Sequence, residues 1–310
     1  MSVKLAPATF WLNDIANEWE VHLHGIKRLL LHRTTAVQDL QIVEHGTYGK
    51  TLILDGKLQS TAADEFIYHE TLVHPAAVAC QTLRNVLILG GGEGATVREV
   101  LRWQSVERVA MVDIDGEVVD ACRTYLPEMH ANAWDDPRVE VIIGDALQYV
   151  ATTDERWDLI VDDLSEPVES GPAVKLFVRE FYAQVQAILA PDGVFAMQAG
   201  SASPVQIELF ARTLATLRSV FPYTQTAIAY IPSFTVPWGF VLASAKPFDS
   251  RPDPAAIDRL LAQNSHGGFR LMDGETLLGT LQVPKYLRAA IAAENRPFTL
   301  ADIDDLSTTL

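Results

Sequence analysis

Several absences narrow the reading of this sequence first. Only two cysteines, Cys80 and Cys122, stand in 310 residues. That is too few for a disulfide framework and suits a reducing compartment. No apolar run approaches ~18 residues, so no membrane-spanning helix is expected. The opening stretch MSVKLAPATFWLNDIANEWE has neither the basic start nor the continuous apolar run of a secretory signal. Together these point to the cytoplasm. Basic residues are few: 24 Lys and Arg against 40 Asp and Glu give a formal charge of −16. No nucleic-acid partner is expected, because phosphates are met by clustered Lys and Arg. A field of this sign attracts cations instead. Internal repeats and low-complexity tracts are also missing.

The remaining pattern is ordered. Residues 18–61 read as β-structure, in the short apolar-rich runs KRLLLHRTT, DLQIVEH, KTLILD and KLQST. Asp55-Gly56 between two such runs signals a hairpin. The segment FIYHETLVHPAAVAC then has helical spacing, and strands alternate with helices beyond it. NVLILG, RVAMVDID, RVEVIIGD, WDLIVDD and VFAMQAG read as strands, with YTQTAIAYI and GFVLAS as late ones. Between them ATVREVLRW, GEVVDACRTYL, VKLFVREFYAQVQAIL and residues 204–220 read as helices. Such alternation predicts an α/β fold, a parallel sheet with helices on both faces. Residues 250–310 suggest a small α/β tail with a helix over 284–293. The expected division is a β-domain at 1–65 and a Rossmann-like domain at 66–310.

In such sheets ligands bind at the carboxyl ends of the strands, and here each of four successive strand ends delivers a carboxylate. The ends read Gly90-Gly91-Gly92-Glu93-Gly94, Asp113-Ile114-Asp115, Gly144-Asp145-Ala146 and Asp162-Asp163-Leu164-Ser165-Glu166. A glycine loop after a strand ordinarily receives a phosphate. Glu93 would repel one, which argues against a dinucleotide. A nucleoside carrying a positive charge, such as an S-adenosyl sulfonium, fits better. Asp113 follows the glycines by about 20 residues, the placement that binds ribose hydroxyls. Asp145 and Ala146 are placed to meet an adenine edge.

His69 and His74 in HETLVHP resemble a zinc motif only loosely. Their spacing sets them about 140° apart on a helix, whereas zincin ligands stand at i and i+4. No metal site is expected.

The residues resemble the polyamine aminopropyltransferases, the spermidine synthase family. DGKLQSTAADEFIYHETLVHP, GGGEGATVREVL, VDIDGEVVDACRTYLP, DDPRVEVIIGDA, DDLSEPVESGP, PDGVFAMQAG and IPSFTVPWGFVLAS carry the resemblance along nearly the whole chain. It implies a small N-terminal β-domain before a methyltransferase-like domain. It further implies transfer of an aminopropyl group from decarboxylated S-adenosylmethionine, a co-substrate, to an amine, with no bound cofactor or metal. By the same resemblance Asp163 would be the acid/base and Tyr68 would hold the attacking amine. Gln38, Gln59, His69, Gly90, Gly92, Glu93, Asp113, Asp145 and Ala146 would bind the donor. Glu166, Gln198, Phe234 and Trp238 would line the acceptor cleft. The acidic set Asp162, Asp163, Glu166 and Glu169 is then explained without Mg²⁺. The partners implied are small cationic polyamines and other copies of the chain, in a homodimer or homotetramer.

This chain departs from many spermidine synthases in having Glu at 93 in place of Asp, Glu166-Pro167 in place of Asp-Pro, and Phe234 in place of a tyrosine. GGGEG, DLSEPVESGP and IPSF…WG look more like thermospermine synthases and triamine-using bacterial relatives. A methyltransferase on the same fold and a non-catalytic polyamine-binding protein are the rival readings.

Overall fold

The computed structural model describes residues 7–80, 82–166 and 172–303. Pro167 and Glu169 therefore lie outside the described residues.

The chain opens with five antiparallel strands in the order β1-β2-β3-β4-β5. They are β1 (Phe10–Asn17), β2 (Glu20–Thr34), β3 (Asp39–His45), β4 (Gly49–Leu54) and β5 (Lys57–Thr61). Asp55 and Gly56 both take positive φ between β4 and β5, the backbone of a two-residue hairpin turn. The sequence reading placed its first strand after residue 18 and missed β1. Its inward Phe10 and Leu12 join the small core of Ile26, Val43, Ile53 and Leu58. Trp11 and Ile15 point the other way and are exposed, so apolar residues on both faces erased the period-2 signal.

Helix α1 (Glu65–Ala79) leads into β6 (Asn85–Gly90), α2 (Ala95–Leu101), β7 (Arg108–Asp113), α3 (Gly116–Tyr125), α4 (Pro127–His130) and β8 (Val139–Ile143). Then come α5 (Ala146–Thr152), β9 (Trp157–Asp163), α6 (Arg179–Ile188), β10 (Leu189–Ser201), α7 (Glu208–Arg218), β11 (Tyr223–Ile231) and β12 (Val236–Ser244). The sheet order is β11-β12-β10-β9-β6-β7-β8. Neighbours from β10 to β8 pair in parallel. β12 runs antiparallel to both its neighbours, which makes the sheet mixed. Chain order proceeds from β6 outward to β7 and β8, then returns to β9 on the other side. The crevice of this reversal therefore opens above β6 and β9.

Alternate residues of the central strands feed two cores. Val86, Ile88, Leu159 and Val161 pack with the α1 and α2 side. Leu87, Leu89 and Ile160 pack with α5, α6 and α7. Burial on both faces explains why these strands read as continuous apolar runs.

Three expected elements differ. The helix foreseen over VKLFVREFYAQVQAIL is a 3₁₀ segment at 172–177 followed by α6. Val178 between them is extended, and the Arg179 amide donates to the Phe298 carbonyl at 2.9 Å. This tertiary hydrogen bond overrides the helical period. The helix foreseen over 204–220 is shorter, because Gln206 closes a turn onto Ser203 before α7 begins. The tail, expected as α/β, holds helices α8 (Pro254–Asn264), α9 (Gly274–Thr280) and α10 (Lys285–Ala293). Among the described residues it adds no strand, only an isolated bridge from Ser265 to Trp103.

The tail is fastened to α1. Buried Glu70 accepts the backbone N–H groups of Arg270, Leu271 and Met272 at 2.7, 2.9 and 2.8 Å. The Arg270 guanidinium also lies 3.7 Å over the Phe66 ring.

Candidate active site

The glycine loop after β6 and the end of β9 meet at the crevice. Gly90 pairs in register with Asp163. A Cβ on Gly90 would stand 2.4 Å from the Asp163 carbonyl oxygen, and one on Gly92 2.7 Å from Asp113 Oδ2. Only glycine lets the loop settle this close to both acids.

Helix α1 supplies consecutive side chains that point in different directions. The Tyr68 hydroxyl donates to Asp163 Oδ1 at 2.8 Å, and Thr96 Oγ1 donates to Asp163 Oδ2 at 2.5 Å. Burial raises the Asp163 pKa, and the Glu93 charge adds to the rise against the opposing pull of His69. Burial and Asp163 together push the Tyr68 phenol well above its usual range, so it stays a donor.

His69 points instead at the glycine loop. Its Nε2 is 2.8 Å from Glu93 Oε1, while Nδ1 lies 2.7 Å from the Glu65 carbonyl and 3.0 Å from Glu65 Oε2. Burial alone would lower the His69 pKa; Glu93 and Glu65 outweigh it and hold the value well above normal. Arg98 pairs with both oxygens of Glu65 at 3.1 and 2.8 Å and with Glu99 at 2.7 Å. Glu99 in turn meets His74 at 3.0 Å. The two histidines of HETLVHP thus serve separate carboxylates and do not converge.

Asp113 is held by the Asp115 backbone N–H at 2.9 Å. Burial, assisted by the Asp115 charge, pushes its pKa up to about 6. Asp115 is buried and caps α3 through the amides of Glu117 and Val118. The same carboxylate accepts Thr35 Oγ1 at 2.6 Å and Gln38 Nε2 at 3.0 Å. It thereby ties the β-domain to the sheet edge. Gln59 reaches the opposite side, where its Oε1 is 3.5 Å from Ser165 Oγ. Asp145 is exposed and caps α5 through the Leu147 amide at 2.8 Å, with Ala146 buried behind it. Ile114 and Ile143 stand exposed beside these acids, an apolar patch that a flat heteroaromatic ring can cover.

On the acceptor side, the Gln198 amide is already engaged. Its Nε2 donates to the Leu164 carbonyl at 2.9 Å, and its Oε1 accepts from Gly200 N at 3.0 Å and Trp238 Nε1 at 3.2 Å. Gln198 therefore fixes the wall and offers little of its own amide. Phe234 packs edge-on against Tyr68 and Trp238, with centroids 6.1 and 4.8 Å apart. Phe240 lies 5.3 Å from Tyr68. The half-buried Glu166 has its pKa raised to about 7 by burial, against the pull of Lys57.

Tyr68, His69, Glu93 and Asp163 thus meet directly at this edge, with Gln38, Gln59, Asp113, Asp145 and Glu166 on the strands and loops around them. Sequence reasoning missed Thr96, Glu65, Arg98, Asp115 and Phe240. A signal existed for Glu65, which stands four residues before His69 on one helix face. No motif marked Thr96.

The sheet order, its reversal between β6 and β9, and the acids along that edge define a methyltransferase-like α/β enzyme. Residues 65–251 match the family model "Spermine/spermidine synthase domain", and residues 10–62 match "Spermidine synthase tetramerisation domain". A polyamine aminopropyltransferase of Synechococcus sp. (strain JA-3-3Ab) is 51% identical, over 94% of this chain and 96% of its own. One from Sulfolobus acidocaldarius is 41% identical, over 91% and 94%. A crystallised spermidine synthase in complex with the transition-state analogue AdoDATO superposes with TM-score 0.85 at 26% identity, covering 95% of this chain and 99% of that one. The Thermotoga maritima spermidine synthase gives 0.83 at 26% identity, over 95% and 98%. This chain belongs to the spermidine synthase family. It is an enzyme of the aminopropyltransferase class, and the family's co-substrate is decarboxylated S-adenosylmethionine.

Proposed function

We propose that this enzyme moves the aminopropyl group of decarboxylated S-adenosylmethionine to a di- or triamine, with a triamine preferred over putrescine. The observation that carries the reaction is the buried Tyr68–Asp163–Thr96 cluster, with Glu93 beside it. A primary amine has a pKa near ~10, so only about one molecule in a thousand is neutral at pH 7. Asp163 accepts the proton of the attacking amine, and its raised pKa makes it a better base for that purpose. Tyr68 orients the amine. The new N–C bond forms as the C–S bond breaks, and the sulfur keeps the bonding electrons in methylthioadenosine. Holding nitrogen, carbon and sulfur in line supplies much of the remaining acceleration.

In this reading Asp113 holds the ribose hydroxyls. Asp145 and Ala146 meet the adenine between Ile114 and Ile143. Gly90 and Gly92 admit the nucleoside, Gln38 and Gln59 close it from the β-domain side, and Glu93 with His69 receives the ammonium arm. Glu166, Gln198, Phe234 and Trp238 form the acceptor wall. Carboxylates bind the distal ammonium groups, and the aromatic faces can add cation–π contacts. Preference for the longer acceptor rests on Glu93, Glu166 and Phe234 at positions where many spermidine synthases carry Asp, Asp and Tyr. The β-domain at 1–65 and the catalytic domain at 66–310 assemble as a homodimer or homotetramer in the cytoplasm.

The test is to incubate enzyme and decarboxylated donor with putrescine, spermidine, cadaverine and agmatine. Products are then separated by chromatography that resolves spermine from thermospermine. Faster turnover of the triamine is expected. Faster turnover of putrescine would overturn the acceptor preference, and methyl transfer from the carboxylated donor would favour the rival methyltransferase reading.

A further inference from the structure

His69 is enclosed by acceptors. Its Nδ1 faces a main-chain carbonyl, that of Glu65, at 2.7 Å. A carbonyl can only accept, so Nδ1 carries a hydrogen. Its Nε2 faces Glu93 Oε1 at 2.8 Å. Two lone pairs repel at that distance, so a proton lies between them. The contact is nevertheless off the line of a hydrogen bond, and Glu93 Oε1 is buried without an aligned donor. The free site therefore holds a proton loosely where the proposed function puts an ammonium group.

We infer that the cationic arm of the donor replaces this proton, and that Glu65 is the positioning residue that makes the exchange possible. Glu65 anchors Nδ1–H through its carbonyl and carboxylate, and is itself held by Arg98. With Nδ1–H fixed, loss of the other proton leaves an Nε2 lone pair aimed at the loop. The ammonium donates one N–H to that lone pair and another to Glu93. The exchange is balanced: one cation enters as R–NH₃⁺ and one leaves as H⁺ taken up by buffer. The groups facing His69 are Glu65 and the Tyr68 ring from its own helix, Glu93 from the glycine loop and Asp163 from β9. Of these, Glu93 is the one whose Oε1 lacks an aligned donor, and it receives the entering ammonium.

This rests on the donor assignment made above, and the experiment separates the two. Isothermal titration calorimetry near pH 7, in buffers of different ionisation enthalpy, counts protons released on binding. Methylthioadenosine, which lacks the arm, should release close to none, and the decarboxylated donor close to one per site. Glu65→Gln keeps the carbonyl but removes the carboxylate charge that helps hold the second proton, so the release near pH 7 should fall below the wild-type count, while methylthioadenosine still binds and so reports a folded site. Equal proton counts for the two nucleosides in the wild-type enzyme would overturn the inference, as would full release in Glu65→Gln. If neither nucleoside binds, the donor site itself is wrong, and the inference falls with it.

Discussion

The Tyr68 hydroxyl donates to Asp163 Oδ1 at 2.8 Å across the crevice that joins α1 to β9. The pair makes the first prediction direct. Asp163→Asn should lower kcat by roughly 10²–10⁴-fold, the range for loss of a positioned acid or base. Tyr68→Phe should cost about 10- to 100-fold, as expected for a hydrogen bond to a charged group. Methylthioadenosine affinity should stay near wild type in both. Stopped assays with the preferred amine measure the loss, and full turnover in Asp163→Asn would remove Asp163 from its role.

Asp113 gives a separate handle on binding. Asp113→Ala should weaken methylthioadenosine by about 1.5–3 kcal/mol, since an ionised acceptor would be lost. Its pKa is pushed up to about 6, so nucleoside affinity in the wild type should decline as pH falls through that value. Fluorescence titrations from pH 5 to 8 would follow this. A flat profile would mean that the ribose is held elsewhere.

Much of this site was legible in the sequence because it lies where strands end. Strand ends are marked by apolar runs that stop abruptly, so the sequence alone places Glu93, Asp113, Asp145 and Asp163 on one edge. Burial on both faces made β6 and β9 easy to read. Thr96 and Asp115 were harder, because their roles come from contacts across the fold: Thr96 meets a residue 67 positions away, and Asp115 bonds Gln38 77 positions away. Gln198 is expected from the resemblance to line the acceptor cleft, and in the fold its amide is shared among Leu164, Gly200 and Trp238. Sequence spacing carries no record of such a closure. Among the described residues the tail has none of its expected strands for a similar reason, since its backbone is anchored on Glu70 and not on a sheet edge.

Asp162 is fully buried with one carboxylate oxygen unpartnered. Burial pushes its pKa up to about 8. The folded state thus binds a proton that the unfolded chain releases near pH 4, and the stability from this group is present at low pH and lost as pH rises toward 8. Asp162→Asn should stabilise the fold at pH 7.5 by roughly 1–3 kcal/mol, at about 1.4 kcal/mol per pKa unit with discount for relaxation. Urea unfolding at pH 5.5 and 7.5 tests this; a variant less stable than wild type at both values would contradict it.

The β-domain carries the opposite slope. His45 Nδ1 accepts the amides of Thr47 and Tyr48 at 2.9 and 3.1 Å, so its Nε2–H donates to His24 Nδ1 at 3.1 Å. Burial lowers the His45 pKa to about 4. The unfolded chain binds the proton first, so this stability is present above about pH 6.5 and lost as pH falls toward 4. His45→Asn should flatten the acid limb of the unfolding free energy, and an unchanged slope would exclude the pair as its source.

One face of the β1–β2 hairpin presents Trp11, Ile15, Val21 and Leu23 to solvent, within the segment that matches the tetramerisation domain. An exposed apolar strip of this kind is where a second copy of the chain would pack. Ile15→Asp with Leu23→Lys should reduce the sedimenting mass without unfolding the chain. An unchanged mass would move the interface elsewhere.

Glu70 follows Tyr68 and His69 directly on α1 and binds the backbone of the tail 200 residues further along the chain. Since the three side chains share one rigid helix, whatever anchors Glu70 also sets how far Tyr68 reaches toward Asp163. A truncation before residue 270 would strand a buried charge and let the helix slide. The tail, fastened two residues along the helix from Tyr68, is therefore the ruler against which the chemistry is aligned.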